Sequence, residues 1–385
     1  MTINKKLLFV LPSLKTGGAE KFICNLAAAI NRAPNYDVYL FVLGGVRDDQ
    51  GNFLCKQLSK LGVPVKGISE RKAISIHNLN YFNKFVKELE PDIVLSSVIQ
   101  ADLATFLYKL RFFKLSKNIK FIRRVANYSS GFIDKILNFL LPLLIKETIF
   151  CNHVLEPKSK IAKSWYKILG ASFSTIINGI PSEIMANLEK VGHERKKEEK
   201  QIHIEHKSIC PFSVGRLDGN SINTMQKGFD LLIEAYASLE NLDAKLCHVI
   251  YGSGPLKKDL IALIKEKGLR NQIKIQDTQA IEDILWRHSV LIFPSRFEGL
   301  SNVVVESLLA GCFVYLSNIP ENQVFSRFSD RVKFFENTNL GISNVIQDIN
   351  SSEPIYDRQK FLVEDVQDFF SLSRCVSQYK LNFEK

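Results

Sequence analysis

Short apolar runs alternate along this chain with segments whose apolar residues recur at helical spacing. LLFVLP at 7–12 precedes a helical pattern over 19–31, and VYLFVL at 38–43 precedes one near 51–61. A short strand near 64–67, a helix at 77–89 and the run DIVLSS at 92–97 follow. Apolar strands separated by helices predict a parallel, doubly wound sheet. Right-handed crossovers then place helices on both faces. The pattern fails over 181–208, which is highly charged with few apolar anchors and predicts a linker with one solvated helix at most. It restarts with CPFSVG at 210–215, a helix at 227–239, AKLCHVIYG at 244–252 and a helix at 255–267. A strand near 272–275, a helix near 280–287, VLIFPS at 290–295, a helix at 301–310 and FVYL at 313–316 complete the series.

A chain of 385 residues exceeds one compact core of ordinary size. The expected division is a basic N-terminal domain at 1–180, the linker at 181–208 and a second domain at 209–367. The segment 368–385 is expected to form a helix that crosses back to the first domain. The fold class is therefore α/β, with two doubly wound Rossmann-like domains facing across a cleft. Ligands of open α/β sheets bind beyond the strand carboxyl ends.

Charge divides the same way. Residues 1–180 hold 26 Lys and Arg against 12 Asp and Glu, while the remainder holds 25 against 28. The densest stretch, KLRFFKLSKNIKFIRR at 109–124, interleaves seven basic residues with apolar ones and contains no acid. It suits an anionic membrane surface or simply a solvated helix face. No nucleic-acid-binding signature accompanies it. The apolar run ILNFLLPLLI at 136–145 is too short to span a bilayer. The first apolar run is too short for a secretory signal and reads as a buried strand. Seven scattered cysteines show no paired spacing, so a reduced, cytoplasmic setting is expected.

Candidate chemistry clusters where strands hand over to helices. Gly17 and Gly18 open the first helix and allow backbone N–H groups to approach an anion. Arg216 follows the strand at 210–215, and Lys227 precedes the next helix, a pair suited to a diphosphate. Gly252 and Gly254 mark another such turn. In FEGLSNVVVE at 297–306, Glu298 falls on a loop, Ser301 at a helix N-cap and Glu306 within the helix. Carboxylates accept hydrogen bonds from vicinal hydroxyls, so the two glutamates suit a polyhydroxylated ligand held around that helix start. No D-x-D pair or metal-ligand histidine spacing occurs, and no metal or cofactor is called for. His248, in an apolar strand, reads as a core residue.

These residues together resemble the family 4 retaining glycosyltransferases of B-type fold. The resemblance rests on GGAEK at 17–21, NGIP at 178–181, VGRL with KGFDLLIEA over 214–235, YGSGPL at 251–256 and FPSRFEGLSNVVVESLLAG at 293–311. It implies that Arg216 and Lys227 bind the diphosphate of a nucleotide-sugar donor and that Glu298 contacts the donor sugar. Glu306 would hold the ribose. Gly17, Gly18, Gly252, Gly299, Leu300, Ser301 and Asn302 would complete the donor site. It further implies a retaining transfer assisted by the donor's own phosphate, with a UDP-linked hexose or N-acetylhexosamine as donor. The acceptor would be a glycan on a polyprenyl diphosphate, in bacterial surface polysaccharide synthesis at the inner face of the cytoplasmic membrane. Two departures stand out. The ten residues LDGNSINTMQ between Arg216 and Lys227 exceed the family's usual gap. The first-domain histidine of many relatives is missing, which leaves Arg123, Arg124 or Asn127 for the acceptor side. Read alone, Glu298 and Glu306 also suit a glycoside hydrolase, which would give Arg216 and Lys227 no task. An epimerase would need a further acid/base pair. A non-catalytic partner subunit of the same fold is the remaining alternative.

Overall fold

The computed structural model describes residues 4–14, 18–46, 48–67, 74–126, 132–157, 159–202, 210–239, 247–351 and 363–385. The chain divides into two compact units, Met1–Pro181 with Phe370–Lys385, and Ser182–Phe369. The first contains β1 (Lys5–Leu11), α1 (Gly18–Asn31), β2 (Tyr36–Val42), α2 (Asp49–Lys60), β3 (Val65–Gly67), α3 (Ile76–Leu89) and β4 (Ile93–Ser97). It continues with α4 (Ile99–Arg111), β5 (Lys120–Val125), α5 (Phe132–Leu140), β6 (Glu147–Phe150), α6 (Lys160–Ile168) and β7 (Ser172–Thr175). The second contains α7 (Ser182–Ile202), β8 (Phe212–Val214), α8 (Phe229–Ala237), β9 (His248–Tyr251), α9 (Lys257–Glu266), β10 (Ile273–Gln276) and α10 (Ile281–Arg287). Then come β11 (Val290–Phe293), α11 (Asn302–Leu309), β12 (Phe313–Ser317), β13 (Val332–Phe335), α12 (Asn339–Ser351) and α13 (Val363–Phe369). Finally α14 (Leu372–Glu384) belongs to the first unit.

Both sheets are parallel. Their orders are β3-β2-β1-β4-β5-β6-β7 and β10-β9-β8-β11-β12-β13. Strand β1 shows why its sequence is uniformly apolar. Leu7, Phe9 and Leu11 pack into the core shared with α1, α2 and α14, while Leu8 and Val10 pack into the core shared with α3 and α4. A strand buried on both faces needs no polar side, so the run cannot alternate. The order of each sheet reverses direction around its first strand, β1 in one unit and β8 in the other. Connections on either side of that strand run to opposite faces, which leaves an open crevice at its carboxyl end.

Helix α14 lies on the first unit through Leu372, Cys375, Tyr379 and Phe383, a stripe at helical spacing. Tyr379 packs against Phe22, and Phe383 meets Tyr36 edge-on, with centroids 6.5 and 5.9 Å apart. Ile180 donates to the Phe370 carbonyl at 2.7 Å and accepts from the Leu372 amide at 3.0 Å. Gly179 lies so close beneath them that a Cβ there would meet the Leu372 Cα at 2.5 Å.

Two expectations are corrected. The charged segment after residue 181 forms a helix of 21 residues that packs on the second unit rather than a linker. Its charged composition hides two anchors. Arg195 is buried and donates to the carbonyls of Leu285 at 2.6 Å, His288 at 2.8 Å and Ala310 at 2.8 Å, at the ends of α10 and α11. A guanidinium there also meets the negative poles of both helices. Gly192 permits the approach, since a Cβ would stand 2.3 Å from the Ala310 carbonyl oxygen. The cysteines are also not all unpaired, because Cys210 and Cys247 form a disulfide with Cα atoms 5.2 Å apart. They precede the adjacent strands β8 and β9, a proximity that comes from sheet order and is invisible in spacing.

His248 is a core residue. Its ring meets the Ser213 hydroxyl at 2.9 Å and the Tyr236 hydroxyl at 3.2 Å. Burial, with His288 nearby, pushes its pKa down from 6.5 to about 3. Between those values the unfolded chain binds one proton more than the folded chain, so stability falls as pH drops through that window. The expected slope from this residue is about 1.4 kcal/mol per pH unit, and His248→Gln should remove it in urea titrations between pH 7 and about 5. Gly192→Ala offers a test of the α7 docking by sign. An interior helical Gly→Ala change ordinarily gains about 1 kcal/mol. Here the crowding should make it lose about 1–3 kcal/mol.

Candidate active site

The second unit gathers its candidate residues at the switch point. Val214 ends β8 and leads into Gly215 and Arg216, Tyr251 ends β9 and leads into Gly252, and Phe293 ends β11 and leads to Glu298. The centre of the group is an ion pair. Lys227 Nζ lies 2.7 Å from Glu298 Oε1, with the side chains only 15% and 7% exposed. The ammonium also sits 4.6 Å from the centre of the Phe293 ring. Such a pair offsets its desolvation only when its geometry is tightly held.

The surrounding backbone supplies that constraint. The stem of Lys227 runs over Gly215, where a Cβ would meet Lys227 Cγ at 2.7 Å. Gly228 adopts φ +63°, the left-handed region that favours glycine, and a Cβ there would meet the Pro294 carbonyl oxygen at 2.1 Å. From the opposite side, Arg296 forks onto Asp230 at 2.8 and 2.7 Å and donates to the Met225 carbonyl at 3.0 Å. The Arg296 amide donates to the Gln226 carbonyl, and the Gln226 side chain donates to the Phe297 carbonyl. The segments carrying Lys227 and Glu298 are thus tied together by side chains and backbone alike.

The long gap after Arg216 is folded rather than loose. Leu217 and Met225 are fully buried, and Ile222–Thr224 form a 3-10 turn. Leu217 bonds through its own amide and carbonyl to Ser253 and Leu256, both at 3.0 Å. The extra residues therefore bulge outward while Lys227 stays against Glu298. Arg216 differs from Lys227, being 60% exposed and 3.1 Å from Asp218. Gly252 makes its close approach to the chain itself, since a Cβ would stand 2.3 Å from the Gly215 carbonyl oxygen. Gly299, Leu300 and Ser301 lead into α11, which begins at Asn302, and Glu306 is buried on that helix. Ser301 occupies the N-cap but makes no side-chain capping bond.

The first unit treats its candidates differently. Gly17 and Asn127 lie outside the described residues, and Gly18 is the first residue of α1. Arg123 and Arg124 are buried, which corrects the expectation that they present guanidinium groups for an acceptor. Arg124 donates to Ser97 at 3.2 Å and Asn178 at 2.6 Å and lies over the Phe22 ring. Arg123 donates to Asn138 at 2.5 Å and stands 3.4 Å from Asp102. Burial raises the Asp102 carboxyl above its ordinary range, opposed by Arg123 and by the Ser96 hydroxyl. Alternating strand positions on β5 would ordinarily separate two neighbouring arginines, but both faces of this central strand are covered.

Sequence reasoning missed Gly215, Gly228, Asp230 and Arg296. Each lies inside one of the motifs named above, but the fork joins Arg296, just past the end of β11, to Asp230 in the first turn of α8, a pairing that spacing within either motif does not show. No cluster of His, Cys, Asp or Glu suited to a metal occurs among the described residues.

Residues 194–327 match the family model described as glycosyl transferases group 1. The O-antigen biosynthesis glycosyltransferase WclY of Escherichia coli is 26% identical over 82% of this chain and 80% of its own. A Campylobacter jejuni protein, N-acetylgalactosamine-N,N'-diacetylbacillosaminyl-diphospho-undecaprenol 4-alpha-N-acetylgalactosaminyltransferase, is 29% identical over 80% of each chain. HepE from Anabaena, solved with UDP and glucose, superposes with a TM-score of 0.72 at 15% identity, over 99% of this chain and 100% of that one. The fold is that of the B-type glycosyltransferases. It accounts for the two switch points and for the return of α14 to the first unit.

The ion pair and the exposed arginine should separate in stability measurements. Lys227→Met strands a buried carboxylate and should cost about 3 kcal/mol, whereas adding Glu298→Leu should restore most of the loss. Arg216→Ala, on an exposed side chain, should stay within about 0.5 kcal/mol of the parent. Urea denaturation of the three variants measures all of these.

Proposed function

We propose that this chain is a retaining glycosyltransferase that moves a hexose or N-acetylhexosamine from a UDP-linked donor to a glycan carried on a polyprenyl diphosphate, in bacterial surface polysaccharide synthesis. The observation that carries the reading is the buried Lys227–Glu298 pair beside the exposed Arg216, at the carboxyl ends of β8 and β11. The relatives named above support the class of reaction, and the lipid-linked substrate in the name of the Campylobacter protein supports the class of acceptor.

The chemistry divides among the residues as follows. Departure of the nucleoside diphosphate leaves negative charge on its phosphates, which Arg216 and Lys227 neutralise. An ammonium has three donors, so Lys227 keeps Glu298 while donating to a phosphate oxygen. That shared bond fixes the Glu298 carboxylate, whose other oxygen accepts from donor-sugar hydroxyls. Glu306 accepts from the ribose hydroxyls at the start of α11, where the helix pole favours the diphosphate. Retention follows when the acceptor hydroxyl attacks from the face the diphosphate leaves, passing its proton to a phosphate oxygen. No carboxylate acts as nucleophile, and no metal is required. The protein works peripherally at the cytoplasmic face of the membrane, where such acceptors are presented.

A panel of nucleotide sugars should single out one donor class by melting temperature, since ligand at 100 times its Kd adds about 2.7 kcal/mol. With that donor and a lipid-linked acceptor, Glu298→Gln should lower kcat about 100-fold with little change in KM. Glu306→Gln should raise the donor KM about tenfold while kcat holds, as loss of one charged hydrogen bond implies. Equal defects from both substitutions would refute the division of roles.

A further inference from the structure

The first unit carries an apolar face that the candidate site does not use. On α5 and the 3-10 turn Leu141–Leu143, the side chains of Ile136, Phe139, Leu140 and Leu143 are exposed. On α6, Ile161 and Ile168 are 83% and 75% exposed, with Trp165 between them on the same face. The two elements join into one patch. The rings of Phe139 and Trp165 stack with centroids 4.4 Å apart and planes 8° from parallel. Trp165 Nε1 donates to the Phe139 carbonyl at 3.0 Å, so the indole leaves no donor unsatisfied when its surroundings turn apolar. Apolar residues at helical spacing ordinarily face a core. Here the core side of α6 is Tyr166, and the apolar stripe faces out.

Charge identifies what covers it. Lys160, Lys163 and Lys167 form the neighbouring stripe of α6, and residues 157–181 contain no Asp or Glu. Lys146 stands at the end of the same helix, donating to the Leu169 carbonyl at 2.6 Å. Two of the nearby acids, Glu147 and Glu156, are engaged. Glu147 pairs with Lys120 at 2.9 Å, and Glu156 is held by His153 and Thr175. Asp134 lies in the first turn of α5. A second copy of the chain, meeting this face about a two-fold axis, would set the lysine stripe against itself. A bilayer surface bearing anionic headgroups complements it, and stacked aromatics with flanking lysines suit the depth between headgroups and acyl chains.

We propose that the face formed by α5, its 3-10 turn and α6 is where the protein lies on an anionic phospholipid bilayer. Phe139, Trp165, Ile161 and Ile168 enter the headgroup region, and Lys160, Lys163 and Lys167 meet lipid phosphates. Of the run at 136–145, Ile136, Phe139, Leu140 and Leu143 lie in the interface, while Leu141 and Ile145 stay in the core of the first unit. The proposal rests on the lipid-linked-acceptor reading for its setting and adds the surface to it.

The test is co-sedimentation with vesicles of phosphatidylcholine, with and without phosphatidylglycerol. The parent chain should sediment with the anionic vesicles and be released by salt. Ile161→Glu with Ile168→Glu should weaken this at least about tenfold. Ile76→Glu, at a position 81% exposed on α3, should not change it. Lys160→Ala, Lys163→Ala and Lys167→Ala together should weaken it at low salt, and they test the proposal again should the glutamate variant fold poorly. Equal sedimentation of all variants would overturn the assignment, as would a dimer that the glutamate pair dissolves while vesicle binding is absent. A chain that docks through this face but transfers no sugar would uphold the surface and remove the enzyme reading. One that transfers sugar to a detergent-dispersed acceptor without ever binding vesicles would do the reverse.

Discussion

A lysine and a glutamate 71 positions apart in the chain share a proton-bonding distance of 2.7 Å in a place that water barely reaches. Burying both charges costs several kcal/mol each unless the partners are held in register. The neighbouring features of the second unit are arranged around that requirement. Gly215 clears the path of the lysine stem, and Gly228 turns the chain sharply into α8. The Arg296–Asp230 fork locks the two loops at their bases. Removing any of these would leave the ion pair with its desolvation cost and less of its attraction.

The same requirement explains why a long insertion is tolerated between Arg216 and Lys227. The loop is fixed at both ends, by Leu217 against the β9–α9 turn and by Met225 and Gln226 against the Arg296 segment. Loop-closure entropy grows only slowly with length. Added residues between two fixed points therefore change the surface and not the position of the ammonium. Arg216 stands just before the fixed Leu217 and is exposed, so its charge is available at little cost.

Much of this was legible in the sequence. Strands buried on both faces betray themselves as unbroken apolar runs, and β1, β2, β4, β11 and β12 fall close to where those runs stand. Glu298 on a loop, Glu306 on a helix and Lys227 ahead of one followed from capping and periodicity. What escaped was of another kind. Helix α7 reads as solvated because its buried positions include few apolar side chains, Met185 and Leu188, and otherwise an arginine and a glycine packed on carbonyl groups of distant helices. The disulfide joins residues made neighbours only by strand order. Arg123 and Arg124 read as surface cations because composition does not reveal that Asp102, Asn138, Ser97 and Asn178 await them.

The crossing near Gly179 bears on how such a molecule is made. The face of the first sheet built from Leu7, Phe9 and Leu11 is completed by Leu372, Cys375, Tyr379 and Phe383. Those residues follow the whole of the second unit in the chain. During synthesis, nearly all of the second unit is made before α14, and the first unit lacks one of its covering helices until the end. The first unit must wait on the ribosome with an apolar groove beside α1, and the newest part of the chain closes the oldest.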